Sequence, residues 1–470
     1  MRLSPKDVLR LPHREERLFA SLKGRTFSGV SSDSRSVKPG DLFVALRGER
    51  YDGHKFVDTA YEHGALAAIV DTQGAGSVAS AMPLLLVDDT TASLGELANT
   101  YRKKFAIPVL AIAGSNGKTT TKEMITAVLS TTYNVVSTEG NLNNHIGVPQ
   151  TLFRMDKKHD IAVIEMGTNH PGELELLCSI ALPTMGLITN IGREHLEFFG
   201  SVEGVEEEET TLFRRLPRKG STAFINYDDD RLKRRAARGL RNVTFGMKHG
   251  AKIRGRIVDH AASNCAVLEI SGGLLRKAIR VNLGIPGDHH AHNALAAAAV
   301  GVTFRVPPSR IKAALEGFRP AGKRMEVVEV GGVTILNDTY NANPDSMLAA
   351  LTTLIASRRG GKCIAVLGDM RELGARGPDE HRAVGEEAKT LGVDYLLTYG
   401  ELARQMHDAF GKDGAFHYDQ KSALAEYLAE LVSENDVVLV KASRGMRLED
   451  VVTFLASRLE STAPRYSHSR

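Results

Sequence analysis

The sequence reads as a multidomain α/β protein, and three observations carry that reading. Its 470 residues are enough for about three domains. From about residue 107 to about residue 318, strand-length apolar runs alternate with helical stretches, the pattern of a parallel sheet covered by helices. Within that span, residues 107–124 (IPVLAIAGSNGKTTTKEM) place a buried-strand run, 109–113, directly before a Gly-rich turn, a Lys-Thr pair and a helix.

Composition narrows the class. With 42% hydrophobic and 25% charged residues the chain is an ordinary globular protein with ample core. A net charge of +4, from 60 basic and 56 acidic residues, is too small at this size to argue for nucleic acid or a membrane surface. Cys178, Cys265 and Cys363 are far apart and in no CxxC pair, so a reducing compartment and buried thiols are expected. The first residues, MRLSPKDVLRLPHREERL, contain no apolar signal region. No run of about 18 apolar residues exists to span a membrane. A cytoplasmic enzyme is the expectation.

Residues 1–106 read as a small α/β domain. A polar stretch (30–35) and a KPGD turn (38–41) precede a short strand at 42–46. A loop, RGERYDGH (47–54), then leads to a helix at 56–63 and a strand at 67–70. Arg35, Arg47 and Arg50 lie beside these loops. Arginines so placed can clamp a diphosphate bidentately, or simply be solvated.

Residues 107–318 hold the phosphate-binding pattern. In Gly114-Ser115-Asn116-Gly117-Lys118-Thr119-Thr120 the glycines let backbone N–H groups approach phosphates, and the following helix (122–129) offers its positive end. Lys118 is placed to reach the β/γ-phosphates and Thr119 to bind Mg²⁺. The spacing, GxxGKT, is shorter than the common GxxxxGK[ST]. A buried strand at 160–166 carries Glu165 near its C-terminal end, where ligands of open α/β sheets collect. The next strand, 185–191, leads to Glu194 and His195. A carboxylate and an imidazole at two strand ends beside a phosphate loop point to metal and phosphate handling. The run Glu206-Glu207-Glu208-Glu209 reads as a solvated helix start for at least three of its members. Asp288-His289-His290-Ala291-His292-Asn293 opens an Ala-rich helix (291–300) and lacks the cysteines or further acids of a dedicated zinc site.

Residues 319–458 form a second α/β block. It begins with a hairpin across Gly331-Gly332 (326–338), and NANP (341–344) precedes a helix at 345–356. Strands at 363–368, 395–398 and 437–440 are each followed by a helical stretch. The block has no phosphate loop of its own. The polar residues 459–470 read as a disordered tail.

These motifs resemble the Mur ligases, ATP-dependent amide-forming enzymes of peptidoglycan synthesis. The resemblance rests on GSNGKTTTKE (114–123), NLNNHIGVPQTL (141–152), EMGTNHPGE (165–173), NIGREHLEFFGS (190–201), PGDHHAHNALAAA (286–298), NDTYNANPDSM (337–347), VLGDMRELG (366–374) and KASRGMR (441–447). DSR (33–35) and the stretch 43–54 are similar to the family's nucleotide-sugar domain. NANPDSM and LGDMRELG fit the branch that adds D-alanyl-D-alanine to UDP-N-acetylmuramoyl-tripeptide better than the branches adding Ala, Glu or diaminopimelate.

The resemblance implies three domains: a UDP-sugar-binding α/β domain (1–106), a central P-loop ATPase with a parallel sheet (107–318) and a C-terminal Rossmann-like lid (319–458). It implies ATP, two Mg²⁺ sites, an acyl-phosphate intermediate and a monomer. It also implies roles. Lys118 stabilises the transferring phosphate. Thr119 and Glu165 hold the first metal, and His195 belongs to the second. Asn293 lies on the adenine side, and Arg324 and Asp338 contact ATP from the lid. Ser34, Arg35, Arg47, Asn143 and Asn144 face the UDP-sugar peptide, with Tyr340, Asn341 and Asn343 near the dipeptide. One departure stands out. Many members carry a lysine after FGS that becomes a carbamate and helps hold the second metal, and here that position falls on Glu209, or on Glu208 if the register is shifted by one. Glu209 is expected to supply the carboxylate directly, although it is shorter than carbamoyl-lysine by roughly 3–4 Å. The rival readings are a sibling ligase adding a single amino acid, a folylpolyglutamate-synthase-like ligase, and a nucleotide-gated binding module. The intact DSR and 43–54 stretches argue against the second. The set Lys118, Glu165, His195, Arg324 and Asp338 argues against the third.

Overall fold

The computed structural model describes residues 3–48, 51–79, 81–235, 239–261, 264–320 and 322–462. Three sheets succeed one another along the chain. In the first, the strands lie in the order Glu15–Arg17, Leu84–Val87, Ala67–Asp71, Leu42–Val44, Val30–Ser31. The Glu15–Arg17 edge is antiparallel and the rest is parallel. The parallel strands are short β-branched and Leu runs that bury both faces, as a sheet covered by helices requires. The helix Thr90–Arg102, capped by Asp89, follows it. Its Tyr101 hydroxyl donates to the Met155 carbonyl at 2.7 Å, tying this region to the next. One apolar core runs from Leu3 through Leu97 to Ile164 and Ile225, so the first and second regions share their interior.

The second sheet has nine strands, in the order Ile279–Pro286, Cys265–Gly272, Ile253–Ala261, Arg241–Gly246, Thr222–Asn226, Met185–Ile188, Val109–Ala113, Ile161–Glu165, Val135–Ser137. From Ile253–Ala261 to Val135–Ser137 neighbouring strands pair in parallel. The expected parallel pattern fails at the other end, where Ile253–Ala261, Cys265–Gly272 and Ile279–Pro286 form an antiparallel meander. Only three and six residues separate these strands in the chain, too few for the crossover helix that parallel pairing needs. Val109–Ala113 sits between Ile161–Glu165, which comes later in the chain by two strands, and Met185–Ile188. The chain therefore changes side around it, and the carboxyl ends of these three strands form a switch-point crevice.

The third sheet runs Glu326–Val330, Val333–Asp338, Val437–Lys441, Cys363–Gly368, Tyr395–Tyr399, Ala415–Tyr418, with only the first pair antiparallel. The connection from Val333–Asp338 to Cys363–Gly368 skips the central strand Val437–Lys441. This is a second switch point, and the NANPDSM, LGDMRELG and KASRGMR segments leave from it. The final helix, Glu449–Thr462, continues through residues 459–462, which the sequence assigned to a disordered tail; residues 463–470 lie outside the described residues. All three cysteines are buried and free. Among the described residues, no helix is long and apolar enough to cross a membrane.

Candidate active site

Val109–Ala113, wholly buried, ends at Gly114, whose φ of +113° lies in the left-handed region. A Cβ there would stand 2.4 Å from Thr189 Oγ1 and 2.8 Å from its backbone nitrogen, so only glycine fits. Gly117, at φ +78°, caps the helix Lys118–Ser130, which begins earlier than the apolar pattern indicates. The segment after Met185–Ile188 buttresses the turn. The Ser115 N–H donates to Asn190 O at 2.9 Å, Asn190 Nδ2 to Asn116 O at 2.9 Å, and the Gly192 N–H to Ser115 Oγ at 2.8 Å. The result is a rigid turn feeding a helix N-terminus, the arrangement that receives phosphate.

Charge gathers at this turn. Lys118 Nζ donates to the Gly114 and Ser115 carbonyls and pairs with Glu194 Oε2 at 3.2 Å. Burial alone would drive the ammonium to deprotonate. The carboxylates of Glu194, Glu209 and Glu165 outweigh burial and hold its pKa above the usual lysine value. Thr119 Oγ1 and Asn143 Nδ2 both donate to Glu165 Oε1, at 3.0 and 2.9 Å. Glu209 Oε2 accepts the Gly114 N–H at 2.6 Å. Burial, with Glu194 and Glu208 nearby, pushes the Glu209 carboxyl up to about 8 against the opposing pull of Lys118 and the Gly114 N–H.

The cage sets three carboxylates against two lysines, Lys118 and Lys122, the Nζ of the latter lying 4.0 Å from Glu165 Oε2. Glu165 Oε2, Glu194 Oε1 and Glu209 Oε1 are all buried without a hydrogen-bond partner. Orphaned carboxylate oxygens of this kind are costly unless a cation completes them. The three orphaned donors are hard carboxylate oxygens, which suit Mg²⁺. Among the described residues, no three His, Cys, Asp or Glu side chains converge tightly enough to hold a metal alone. That is also the habit of Mg²⁺, which takes one or two carboxylates together with substrate phosphates.

The acidic run behaves otherwise than its sequence suggests. It closes the helix Val202–Glu209, and Glu206, Glu208 and Glu209 are buried. Glu206 Oε1 accepts from Arg235 Nε at 2.9 Å. Glu208 accepts the Gly172 and Leu174 N–H groups at 2.8 and 2.7 Å, capping the helix Glu173–Ala181. Of the four, Glu209 is the one that bonds the phosphate turn. His195, at φ +48°, lies with Nε2 3.9 Å from Glu194 Oε2 and Nδ1 2.6 Å from Glu372 Oε2 of the third region. The His195 contact is the leading reason that Glu372 sits below the usual carboxylate range.

A cavity of about 330 Å³ opens beside the turn, lined by Asn116, Gly117, Asp228, His289 and Asn293 among others. Asn293 abuts Gly117 so closely that a Cβ there would lie 2.6 Å from its Oδ1. Burial lowers His289 to about 4, and Asp338 and Lys441 of the third region act on it across the gap. Asp338 Oδ2 accepts from Lys441 Nζ at 2.5 Å, and Arg324 lies over the Tyr340 ring, 3.6 Å from its centroid. Lys441 also donates to the Asn341 carbonyl at 2.9 Å. Asn343 caps the helix Pro344–Ala356, and its Nδ2 donates to Asn116 Oδ1 at 2.9 Å. Asn144 accepts the Ile146 and Gly147 N–H groups.

The first-region residues stand apart from this cluster. Arg35 is fully solvated and forks onto Asp33. Arg47 bridges Asp52 at 2.5 Å and Asp71 at 2.9 Å. The backbone carbonyl of buried Ser34 accepts from His63 Nδ1. Gln150 Nε2 donates to Ser32 Oγ at 3.2 Å, joining this sheet's edge to the second region. Arg50 lies outside the described residues. Sequence reasoning assigned no role to Glu194, Arg193 or Glu372. The first two adjoin His195 and the third lies in LGDMRELG, so proximity to those motifs was the available signal.

Three family models match the chain: "Mur ligase family, catalytic domain" over 26–102, "Mur ligase middle domain" over 112–301 and "Mur ligase, glutamate ligase domain" over 323–444. A UDP-N-acetylmuramoyl-tripeptide–D-alanyl-D-alanine ligase of Escherichia coli is 38% identical over 438 residues, covering 92% of this chain and 94% of that protein. The enzyme of the same name from Bacillus subtilis is 37% identical, covering 90% and 92%. Among solved structures, MurF from Acinetobacter baumannii superposes with a TM-score of 0.89 at 28% identity, over 97% of this chain and 99% of that one. MurF ligase from Thermotoga maritima in complex with ADP gives 0.81 at 30% identity, over 93% and 98%. Matched by these three family models and by relatives 37–38% identical over nine-tenths of its length, the chain belongs to the Mur ligase family.

Proposed function

We propose that the protein is an ATP-dependent ligase that joins D-alanyl-D-alanine to UDP-N-acetylmuramoyl-tripeptide, releasing ADP and phosphate and forming the pentapeptide precursor of peptidoglycan. The observation that carries this reading is the buried Lys118 set among Glu165, Glu194 and Glu209 at a helix N-terminus, in a chain matched nearly end to end by ligases of that name. We assign UDP-sugar binding to 1–106, nucleotide chemistry to 107–318 and a lid to 319–458. We assign the reaction to the cytoplasm and take the working form to be a monomer.

The chemistry follows from the weakness of a carboxylate as an electrophile. An oxygen of the tripeptide's terminal carboxylate bonds to the γ-phosphorus, the bond to the β–γ bridging oxygen breaks, and ADP leaves. Lys118 and the N–H groups of the turn neutralise charge on the transferring phosphoryl oxygens. The deprotonated amine of the dipeptide then bonds to the acyl carbon, the carbon–oxygen bond to phosphate breaks, the proton shed by the nitrogen leaves with phosphate, and the amide is left. Positioning both substrates between the second and third regions supplies much of the acceleration. Thr119 and Glu165 would hold one Mg²⁺, and His195 and Glu209 a second. Bound there, the metals add charge neutralisation on phosphate and acyl oxygens. Asn293 faces the base, Arg324 and Asp338 serve the nucleotide from the lid, and Tyr340, Asn341 and Asn343 line the dipeptide's approach. Ser34, Arg35, Arg47, Asn143 and Asn144 serve the UDP-linked peptide.

Glu209 supplies its carboxylate without carbon dioxide. Glu209→Lys should therefore be inactive in bicarbonate-free buffer and regain turnover with bicarbonate, whereas full activity of Glu209→Ala would remove Glu209 from the mechanism. The function itself is tested by mass analysis of the product formed from ATP, UDP-N-acetylmuramoyl-tripeptide and a panel of amines. A pentapeptide product with D-alanyl-D-alanine alone is expected. A product with D-glutamate, a diamino acid or a folate substrate instead would move the chain to a sibling activity.

A further inference from the structure

Besides the Asn343–Asn116 and His195–Glu372 contacts, one arginine of the segment behind the phosphate turn reaches into the third region. Arg193 lies between Gly192, which bonds Ser115, and Glu194, which pairs with Lys118. Its backbone N–H donates to Asp345 Oδ2 at 2.7 Å, and its Nε and Nη2 both donate to Asp345 Oδ1, at 2.9 and 2.7 Å. Its Nη1 reaches Glu380 Oε2 at 2.8 Å. Asp345 stands in the first turn of the helix Pro344–Ala356, and Glu380 in the first turn of Gly377–Thr390. One guanidinium thus clasps two helices of the third region, and the same residue's main chain is fixed to one of them. The fit is close, because a Cβ on Gly192 would lie 2.6 Å from Asp345 Oδ2.

We infer that Arg193 is a positioning residue that couples seating of the third region to the ordering of Glu194 and His195. The inference rests on the ligase reading for its kinetic consequence but not for its structural one. Because the backbone of residue 193 is itself bonded to Asp345, withdrawal of that helix removes one of the anchors of the segment that carries Glu194 and His195. The clasp is only partly shielded from solvent, with side-chain exposures of 30% for Arg193 and 36% for Asp345. That suits a contact made and broken in each cycle. A planar fork donating from three nitrogens is a geometry lysine cannot reproduce.

The test compares Arg193→Ala, Arg193→Lys and Glu380→Gln with the unaltered chain. Small-angle scattering of the ligand-free proteins reads the clasp directly, without reference to turnover. Arg193→Ala should show a larger radius of gyration, Arg193→Lys an intermediate one, and Glu380→Gln the smallest change. In steady-state assays Arg193→Ala should raise KM for the dipeptide by about tenfold, the scale of a typical coupling between sites, with partial rescue by lysine. Identical scattering curves for Arg193→Ala and the unaltered chain would overturn the inference even if the ligase reading stands. Expanded scattering together with no turnover of the unaltered chain would keep the clasp and overturn the reading it serves.

Discussion

The phosphate turn and the first-region loop both gather charged side chains, but their balances differ. In the loop, Arg47 is matched by Asp52 and Asp71, and His54 Nδ1 lies 2.6 Å from Asp52. Arg35 is matched by Asp33. Every one of those charges has a partner inside the protein. At the turn, Lys118 faces three buried carboxylates, and three of their oxygens accept no hydrogen bond, the Glu165 oxygen having only Lys122 Nζ at 4.0 Å. A balanced cluster is already stable and exchanges partners when a ligand arrives. A cluster short of cations is incomplete until metal and nucleotide complete it. The contrast ranks the residues by the damage their loss should do.

Lys118→Ala should do the most, lowering phosphate release by roughly 10³-fold, the upper range for removing one preorganised donor. Stopped-flow or steady-state phosphate detection reads it. A tenfold loss or less would mean that the turn's N–H groups carry the charge unaided. Glu165→Gln and Glu209→Gln come next, at roughly a hundredfold, and should shift activity toward higher Mg²⁺ concentrations.

Glu209 also gives the comparison a pH signature. Its folded pKa, about 8, lies above the ordinary glutamate value of 4.5. Between those values the folded chain binds more protons than the unfolded one, so this group's contribution to stability falls as pH rises through that window. In chelator, without nucleotide, the melting temperature of Glu209→Gln should gain on the unaltered chain as pH goes from about 5 to about 8. A constant difference across that range would mean that Glu209 is already ionised in the empty site.

Glu372→Ala should cost less, roughly tenfold to a hundredfold, as for other groups that orient a ligand from behind. It touches His195 Nδ1, while Nε2 lies 3.9 Å from Glu194 Oε2. An effect confined to KM for the UDP-linked peptide would place Glu372 elsewhere in the cycle. Arg47→Ala should do least, raising KM for that peptide a few-fold with kcat unchanged, since an exposed pair contributes little stability. A collapse of kcat in Arg47→Ala would erase the distinction between the two clusters.

Much of this was legible in the sequence because local chemistry and tertiary role coincide. Gly114 and Gly117 are glycines for reasons of φ and of space, and the strand before them is apolar on both faces, so the turn declares itself. The hairpin at Gly331-Gly332 and the cap at Asn343 are equally local. The antiparallel meander, Ile253–Ala261 to Ile279–Pro286, was not legible, since alternation of apolar residues does not say which strand lies beside which. The acidic run misled because a charge run is ordinarily solvated. Here Arg235, the N-terminus of Glu173–Ala181 and the phosphate turn each claim one carboxylate, and all three partners are distant in sequence. Arg193 and Glu372 were hidden for the same reason: their partners belong to another region of the chain.

The central claim is that the carboxylate cage is completed by metal and nucleotide together. Calorimetric titration of ATP analogue into the protein, with and without Mg²⁺, tests it most directly. Affinity should depend strongly on Mg²⁺ in the unaltered chain and in Arg47→Ala, and lose most of that dependence in Glu165→Gln and Glu209→Gln. Equal affinity with and without Mg²⁺, or a metal dependence untouched by either carboxylate substitution, would contradict the account.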